Sequence, residues 1–234
     1  LQVGADIYCD TALIARLLEQ RQPTSTLYPA SAPLAPLLAQ WADGTLFGAA
    51  VVWALQPAGV GAIMGALPVE VQKAFAADRA AMRGSVPRLT LADGTVQLKA
   101  HLAALNAQLA AGGPWLCGAA PSIADFSVGH CLWFIQLAKP VAHLLGDYPA
   151  IGPWLARVLA IGHAQRSDMT SGEAVAVAAA ASGHAPVAVM AGGGFEAGQA
   201  ITVAATDYGS DPVAGTLVGL TPDSVTLRRT DERA

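Results

Sequence analysis

The 234-residue sequence predicts a mostly α chain that opens on the tail of a sheet domain and closes on a small antiparallel β module. Three observations carry that prediction. Apolar residues recur at helical spacing through most of residues 33 to 163, as in Leu98, Leu102, Leu105 and Leu109. The first nine residues hold two tiny apolar runs, LQV and IYC, around Gly4-Ala5-Asp6. From Gln199 the pattern becomes short alternating runs, ITVAAT, TLVGL and SVTLRR, parted by polar turns.

The elements follow in order. Two strands as short as LQV and IYC cannot stand alone in water, so they need more sheet or a helix beneath them. A helix comes at once, with Leu13, Ile14, Leu17 and Leu18 on one stripe and Arg16 and Glu19 off it. A hairpin and a helix with nothing before them read as the end of a sheet domain whose beginning is absent. Residues 20 to 32 (QRQPTSTLYPASA) form a Pro/Ser/Thr-rich linker. Leu34, Leu37, Leu38 and Trp41 then keep helical spacing. Pro68 is expected at the first position of a helix carrying Val71, Phe75 and Met82, and Gly84 closes it. LTLADGTVQL also has a hairpin signal at Asp93-Gly94, but a loop leading into the Leu98 helix is preferred.

In GAAPSIADFSVGHCLWF, Ser122 and Asp125 stand three apart before an apolar run, a capping box with Asp for the usual Glu. Pro121 and Phe126 occupy the two staple positions. DYPAIGPWLARVLAIG gives a further helix with Ile151, Trp154, Leu155 and Val158 inward and Arg157 outward. An Ala/Val-rich helix or linker runs to Ala181. The expected parts are residues 1–20, an all-helical domain at 33–165, and a separate β module at 185–234.

Composition excludes some roles. Charged residues are 13% of the chain and the net charge is −4, about half the typical charged share of roughly 25%. A nucleic-acid partner wants a basic stripe, and none is present. Three cysteines without a CxxC argue against a disulfide framework, so a reducing, cytoplasmic setting is expected. The uncharged stretches Gly44–Val69 and Ala174–Phe195 are long enough to cross a bilayer. They lack flanking charge asymmetry and aromatic belts, so buried helices are expected and no membrane.

Three stretches together resemble the glutathione transferase family over roughly residues 1 to 165. LQVGADIYCDTALIARLL is similar to the end of that family's thioredoxin-like half, where an acidic residue followed by Ser or Thr starts the third helix. PSIADF resembles its buried capping box, and YPAIGPWLARV its last core helix. The resemblance implies a thioredoxin-like glutathione-binding domain, an all-α domain that shapes the site for a small electrophile, and a homodimer. It implies glutathione as co-substrate. The catalytic Tyr, Ser or Cys of the family and its cis-proline have no counterpart in this chain, and Thr replaces the commoner Ser after the acid. The segment after about residue 185 is similar to a β module appended to some bacterial members.

The candidate residues are weighed against plainer roles. Asp10 and Thr11 suit a helix N-cap, which needs one side-chain oxygen. With the resemblance they become the glutathione-binding pair: the hydroxyl and helix amides hold the γ-glutamyl carboxylate, and Asp10 faces its ammonium. Both roles can coexist. Cys9 is expected as a small buried hydrophobe and His130-Cys131 as core or satisfied polar residues, with no metal. Trp41, Phe47 and Trp53 are core aromatics by spacing, and by resemblance a possible electrophile pocket. Ser122 and Asp125 are a structural cap. The expected function is a glutathione transferase-like protein that conjugates or reduces an electrophile; the alternative is a non-catalytic binding or interaction module of the same fold. The β module is expected to carry no part of the glutathione site.

Overall fold

The computed structural model describes residues 1–84, 87 and 89–229. Contacts divide the chain into two units. Glu19–Phe75 with Pro87–Gln165 form one, and Leu1–Leu18 with Ala76–Val86 and Arg166–Ala234 form the other.

In the helical unit, α2 (Ala35–Trp41) runs through a π-helical segment (Ala42–Leu46) into α3 (Phe47–Ala54). Its buried face is made of Ala35, Ala39, Ala42, Leu46, Ala49, Ala50 and Ala54, while Leu34 and Leu37 are 68% and 63% exposed. The leucine spacing at Leu34 and Leu37 therefore marks a helix but not its inner side. Alanines let the backbone lie close to α7 (Ile123–Leu137), a contact that large side chains would hold apart. Pro57 starts α4 (Pro57–Met64) where a missing N–H costs nothing, and the chain bends there by 91°. That bend breaks the apolar stretch from Gly44. Among the described residues no single helix is long and apolar enough to cross a membrane.

Helix α5 (Val69–Arg83) begins one residue after Pro68 and has no buried side chain; Val71 and Phe75 are exposed. Gly84 ends it at φ +57, as expected. Helix α6 (Leu91–Ala111) begins earlier than the expected loop allows. Thr90 caps it, accepting the Asp93 N–H at 3.1 Å and donating its hydroxyl to Asp93 Oδ2 at 2.7 Å. Asp93-Gly94 is thus the first turn of a helix, neither a hairpin nor a loop. Gly94 earns its place by packing: a Cβ there would lie 3.1 Å from Val52 Cγ1 of α3.

A 3₁₀ segment (Lys139–Asp147) joins α7 to α8 (Ile151–Ala160). Val128, Leu132 and Ile135 of α7 meet Leu98 and Leu102 of α6 and Trp154 and Leu155 of α8 in one buried cluster.

In the second unit, β1 (Gln2–Val3) and β2 (Asp6–Ile7) pair antiparallel, with Gln2 opposite Ile7. Leu1 and Tyr8 exchange backbone bonds at 2.8 and 2.9 Å and close the hairpin. Helix α1 (Thr11–Arg21) follows. Helix α9 (Ser171–Ala180) is started by a Thr170–Glu173 capping box and, against the expectation of a buried helix, carries no buried residue. The strands β3 (Ala200–Val203), β4 (Val213–Leu220) and β5 (Val225–Arg228) form an antiparallel sheet in the order β3-β4-β5. Side chains within this unit join its two ends. Gln2 Nε2 donates to the Ala174 carbonyl at 2.8 Å, and Arg16 Nη1 pairs with Asp223 Oδ1 at 2.6 Å.

Candidate functional site

The turn that enters α1 is built around Asp10. Its φ is +79, in the left-handed region that few residues other than Gly adopt, although Asp and Asn tolerate it best. From there Asp10 Oδ1 accepts the Ala12 N–H at 2.8 Å and the Leu13 N–H at 3.2 Å, and the Asp10 carbonyl accepts Ile14 N–H at 3.0 Å. Asp10 is therefore an N-cap: its side chain satisfies two of the orphan amides and its carbonyl accepts the first intrahelical bond. The Thr11 N–H has no partner among the described residues, and neither have the Thr11 hydroxyl and Asp10 Oδ2. Asp10 and Thr11 are both exposed. The end of α1 thus presents two donors from Thr11 beside one carboxylate oxygen.

Cys9, next to this turn, is exposed. The expectation that it packs as a small hydrophobe is corrected: the chain leaves β2 before Cys9, and no buried residue of α1 lies beneath it.

The other candidates lie in the helical unit. Trp41 meets His101 of α6 edge to face at 5.0 Å. Phe47 stacks on His130 of α7 at 5.3 Å, and Trp53 Nε1 donates to the Val141 carbonyl of the 3₁₀ segment at 3.0 Å. Each ring faces a different element and packs against the main cluster. His130 is exposed, between Phe47 and Trp133, so its place in the core is corrected; a ring at that position is stacked rather than buried. Cys131 is fully buried, and burial pushes its thiol up to about 12.

Ser122 and Asp125 form a capping box and are both fully buried. Asp125 does more than cap. Oδ2 accepts the Ser122 N–H at 2.9 Å and its hydroxyl at 3.0 Å, while Oδ1 accepts the Leu116 N–H at 2.8 Å and Trp154 Nε1 at 2.9 Å. With four donors on two oxygens, the carboxylate is satisfied and points at no solvent.

Two features carried no usable signal in the sequence. His101 Nε2 is buried with no hydrogen-bond partner among the described residues, and burial holds its imidazole below the ordinary value. In the second unit, Asp6 Oδ1 lies 2.7 Å from His184 Nδ1, and Oδ2 accepts the Ala185 N–H at 2.8 Å. Burial alone would raise the Asp6 carboxyl, but the Ala185 amide and His184 outweigh it and hold the carboxyl below its ordinary value.

Residues 72–157 match the model of the glutathione S-transferase C-terminal domain. No curated protein matches the chain. A GST-like protein from Pseudomonas syringae is similar in structure, with a TM-score of 0.79 and 37% identity over 100% of this chain and 74% of that one. A glutathione S-transferase from Rhodospirillum rubrum F11 gives 0.44 and 21% over 65% and 60%. The beta-etherase LigF from Sphingobium sp. strain SYK-6 gives 0.43 and 19% over 66% and 70%. The Pseudomonas likeness runs through both units, β module included, and at that identity it makes this chain a member of the glutathione transferase family.

Proposed function

We propose that the chain binds glutathione through the turn at Asp10 and Thr11, as the co-substrate for conjugating or reducing a small electrophile. The observation that carries the reading is the division of labour at that turn. One Asp10 oxygen caps the helix, and the other is left beside the Thr11 hydroxyl and N–H. A γ-glutamyl group has a carboxylate and an ammonium on one carbon. The carboxylate suits the two Thr11 donors at the positive end of a helix, and the ammonium suits Asp10 Oδ2. Because Asp10 already occupies the Ala12 and Leu13 amides, the Thr11 hydroxyl supplies half of the donors for the carboxylate. In the same reading the protein works as a cytoplasmic homodimer.

Asp10→Asn tests it. Asn keeps the capping oxygen and tolerates the left-handed turn, but carries no charge. Losing a charge-assisted contact removes about 1.5–3 kcal/mol, or roughly ten- to a hundredfold in affinity. Calorimetric titration with glutathione should show that loss while the thermal midpoint stays put. Affinity unchanged by Asp10→Asn would leave the residue as a cap and refute the assignment.

A further inference from the structure

The two elements that flank Asp10 are each fastened to the C-terminal segment. On one side, β2 holds Asp6, whose two oxygens grip His184 Nδ1 at 2.7 Å and the Ala185 N–H at 2.8 Å. That grip falls where the chain leaves α9 for the β module. On the other side, α1 holds Arg16, paired at 2.6 Å with Asp223 in the turn between β4 and β5. Gln2 adds a third tie, to the Ala174 carbonyl of α9. Gly4, in the hairpin turn at φ +60, completes the contact: a Cβ there would lie 3.5 Å from Ala181 Cβ.

The turn between these anchors is strained. A non-glycine residue in the left-handed region, even an Asp, persists where its surroundings over-determine it. Neither flank supplies that restraint by itself, because a two-residue-strand hairpin is marginal alone and α1 has no buried side chain. The restraint comes from segments 172 to 207 residues away in sequence for the tied pairs Gln2–Ala174 and Arg16–Asp223.

We infer that Asp6 and Arg16 are positioning residues. Through them the C-terminal segment and its β module hold the hairpin and α1 in the one arrangement that keeps Asp10 and Thr11 poised for a γ-glutamyl ligand. The inference rests on the proposed glutathione reading for what the turn serves, and on the observed contacts for the fastening itself. It departs from the expectation that the β module carries no part of the site: the module touches no ligand group, but sets the geometry of those that do. Asp6 and Arg16 act through Asp10, so loosening either should lower affinity without removing any ligand contact.

Hydrogen exchange and calorimetry on the full chain test both halves. In Asp6→Ala and in Arg16→Ala, the Ala12, Leu13 and Ile14 amides should exchange about three- to fivefold faster, the scale of an exposed ion pair. Amides of α7, in the other unit, should keep their rates, which also shows that the variants fold. Glutathione affinity should fall by a similar factor. Arg16→Lys keeps the charge and should restore both, as should the reversed pair of Arg16→Asp with Asp223→Arg. Unchanged exchange at residues 12–14 in both alanine variants overturns the fastening whatever glutathione does. Faster exchange with unchanged affinity, in a protein whose binding Asp10→Asn weakens, overturns the coupling and leaves the glutathione reading intact. Affinity insensitive to Asp10→Asn overturns the glutathione reading, while the exchange rates still decide the fastening.

Discussion

Asp125→Asn should be among the most damaging single-atom changes this chain can suffer. The carboxylate is fully buried and accepts four hydrogen bonds, two on each oxygen. An amide keeps one accepting oxygen and turns an NH₂ group toward the other two donors. Either Leu116 N–H and the Trp154 indole lose their acceptor, or Ser122 loses it for both its N–H and its hydroxyl. Each buried donor left without a partner costs about 1–3 kcal/mol, which sums to roughly 2–6 kcal/mol for two. Single substitutions above about 4–5 kcal/mol are exceptional, so about 3–4 kcal/mol is expected. With an m-value of about 2 kcal/mol/M in urea, the midpoint should move by roughly 1.5–2 M. All five tryptophans (Trp41, Trp53, Trp115, Trp133 and Trp154) lie in the helical unit, so intrinsic fluorescence follows that unit alone. Ser122→Ala removes one donor and leaves the Ser122 N–H on the same oxygen. It should cost about 1 kcal/mol, well short of the Asn change. A midpoint for Asp125→Asn within about 0.3 M of the unchanged protein would refute the four-donor account, and so would Ser122→Ala proving the more harmful of the two.

Other outcomes follow from close approaches and buried groups. A Cβ on Gly129 of α7 would lie 3.0 Å from Val158 Cγ1 of α8, so Gly129→Ala should destabilise by about 1 kcal/mol despite the better helix former. In a Val158→Ala background the same change should become neutral or stabilising, which a double-mutant cycle in urea would show. Brief treatment of the native protein with iodoacetamide should label Cys9 first and Cys131 last, read by peptide mass spectrometry. Cys9 is exposed, whereas burial of Cys131 lifts its thiol to about 12; alkylation of Cys131 at the rate of Cys9 would contradict its place in the core. His101 has its imidazole held below the ordinary 6.5 by burial. The unfolded chain therefore binds a proton that the fold refuses, and stability should fall as pH drops below about 6.5. His101→Phe keeps a ring against Trp41 and should flatten that part of the slope; an identical slope in both proteins would count against it.

Local physics made much of the architecture legible from the residues alone. Capping depends on groups three residues apart, so Ser122–Asp125 announced the start of α7 without any tertiary knowledge. Helical period did the same for Leu98, Leu102 and Leu105, and short alternating runs announced β3, β4 and β5. Asp10 and Thr11 were visible as a pair for the same reason, since a helix start is fixed by its own first turn. What the residues could not announce was which neighbour each would meet. Leu34 and Leu37 have the spacing of a buried face, yet six alanines and Leu46 occupy it, because burial is decided by how closely α7 approaches. Asp93-Gly94 carries a hairpin signal, but the Thr90 cap and the contact with Val52 commit it to a helix. Half of the donors on Asp125 come from Leu116 and Trp154, and the grip of Asp6 on His184 closes a separation of 178 residues. The sequence alone determined where elements begin and what kind they are, because those choices rest on hydrogen bonds and periodicity within a few residues. The tertiary structure decided which faces are buried and what holds the Asp10 turn, because such contacts join segments whose meeting no local pattern encodes.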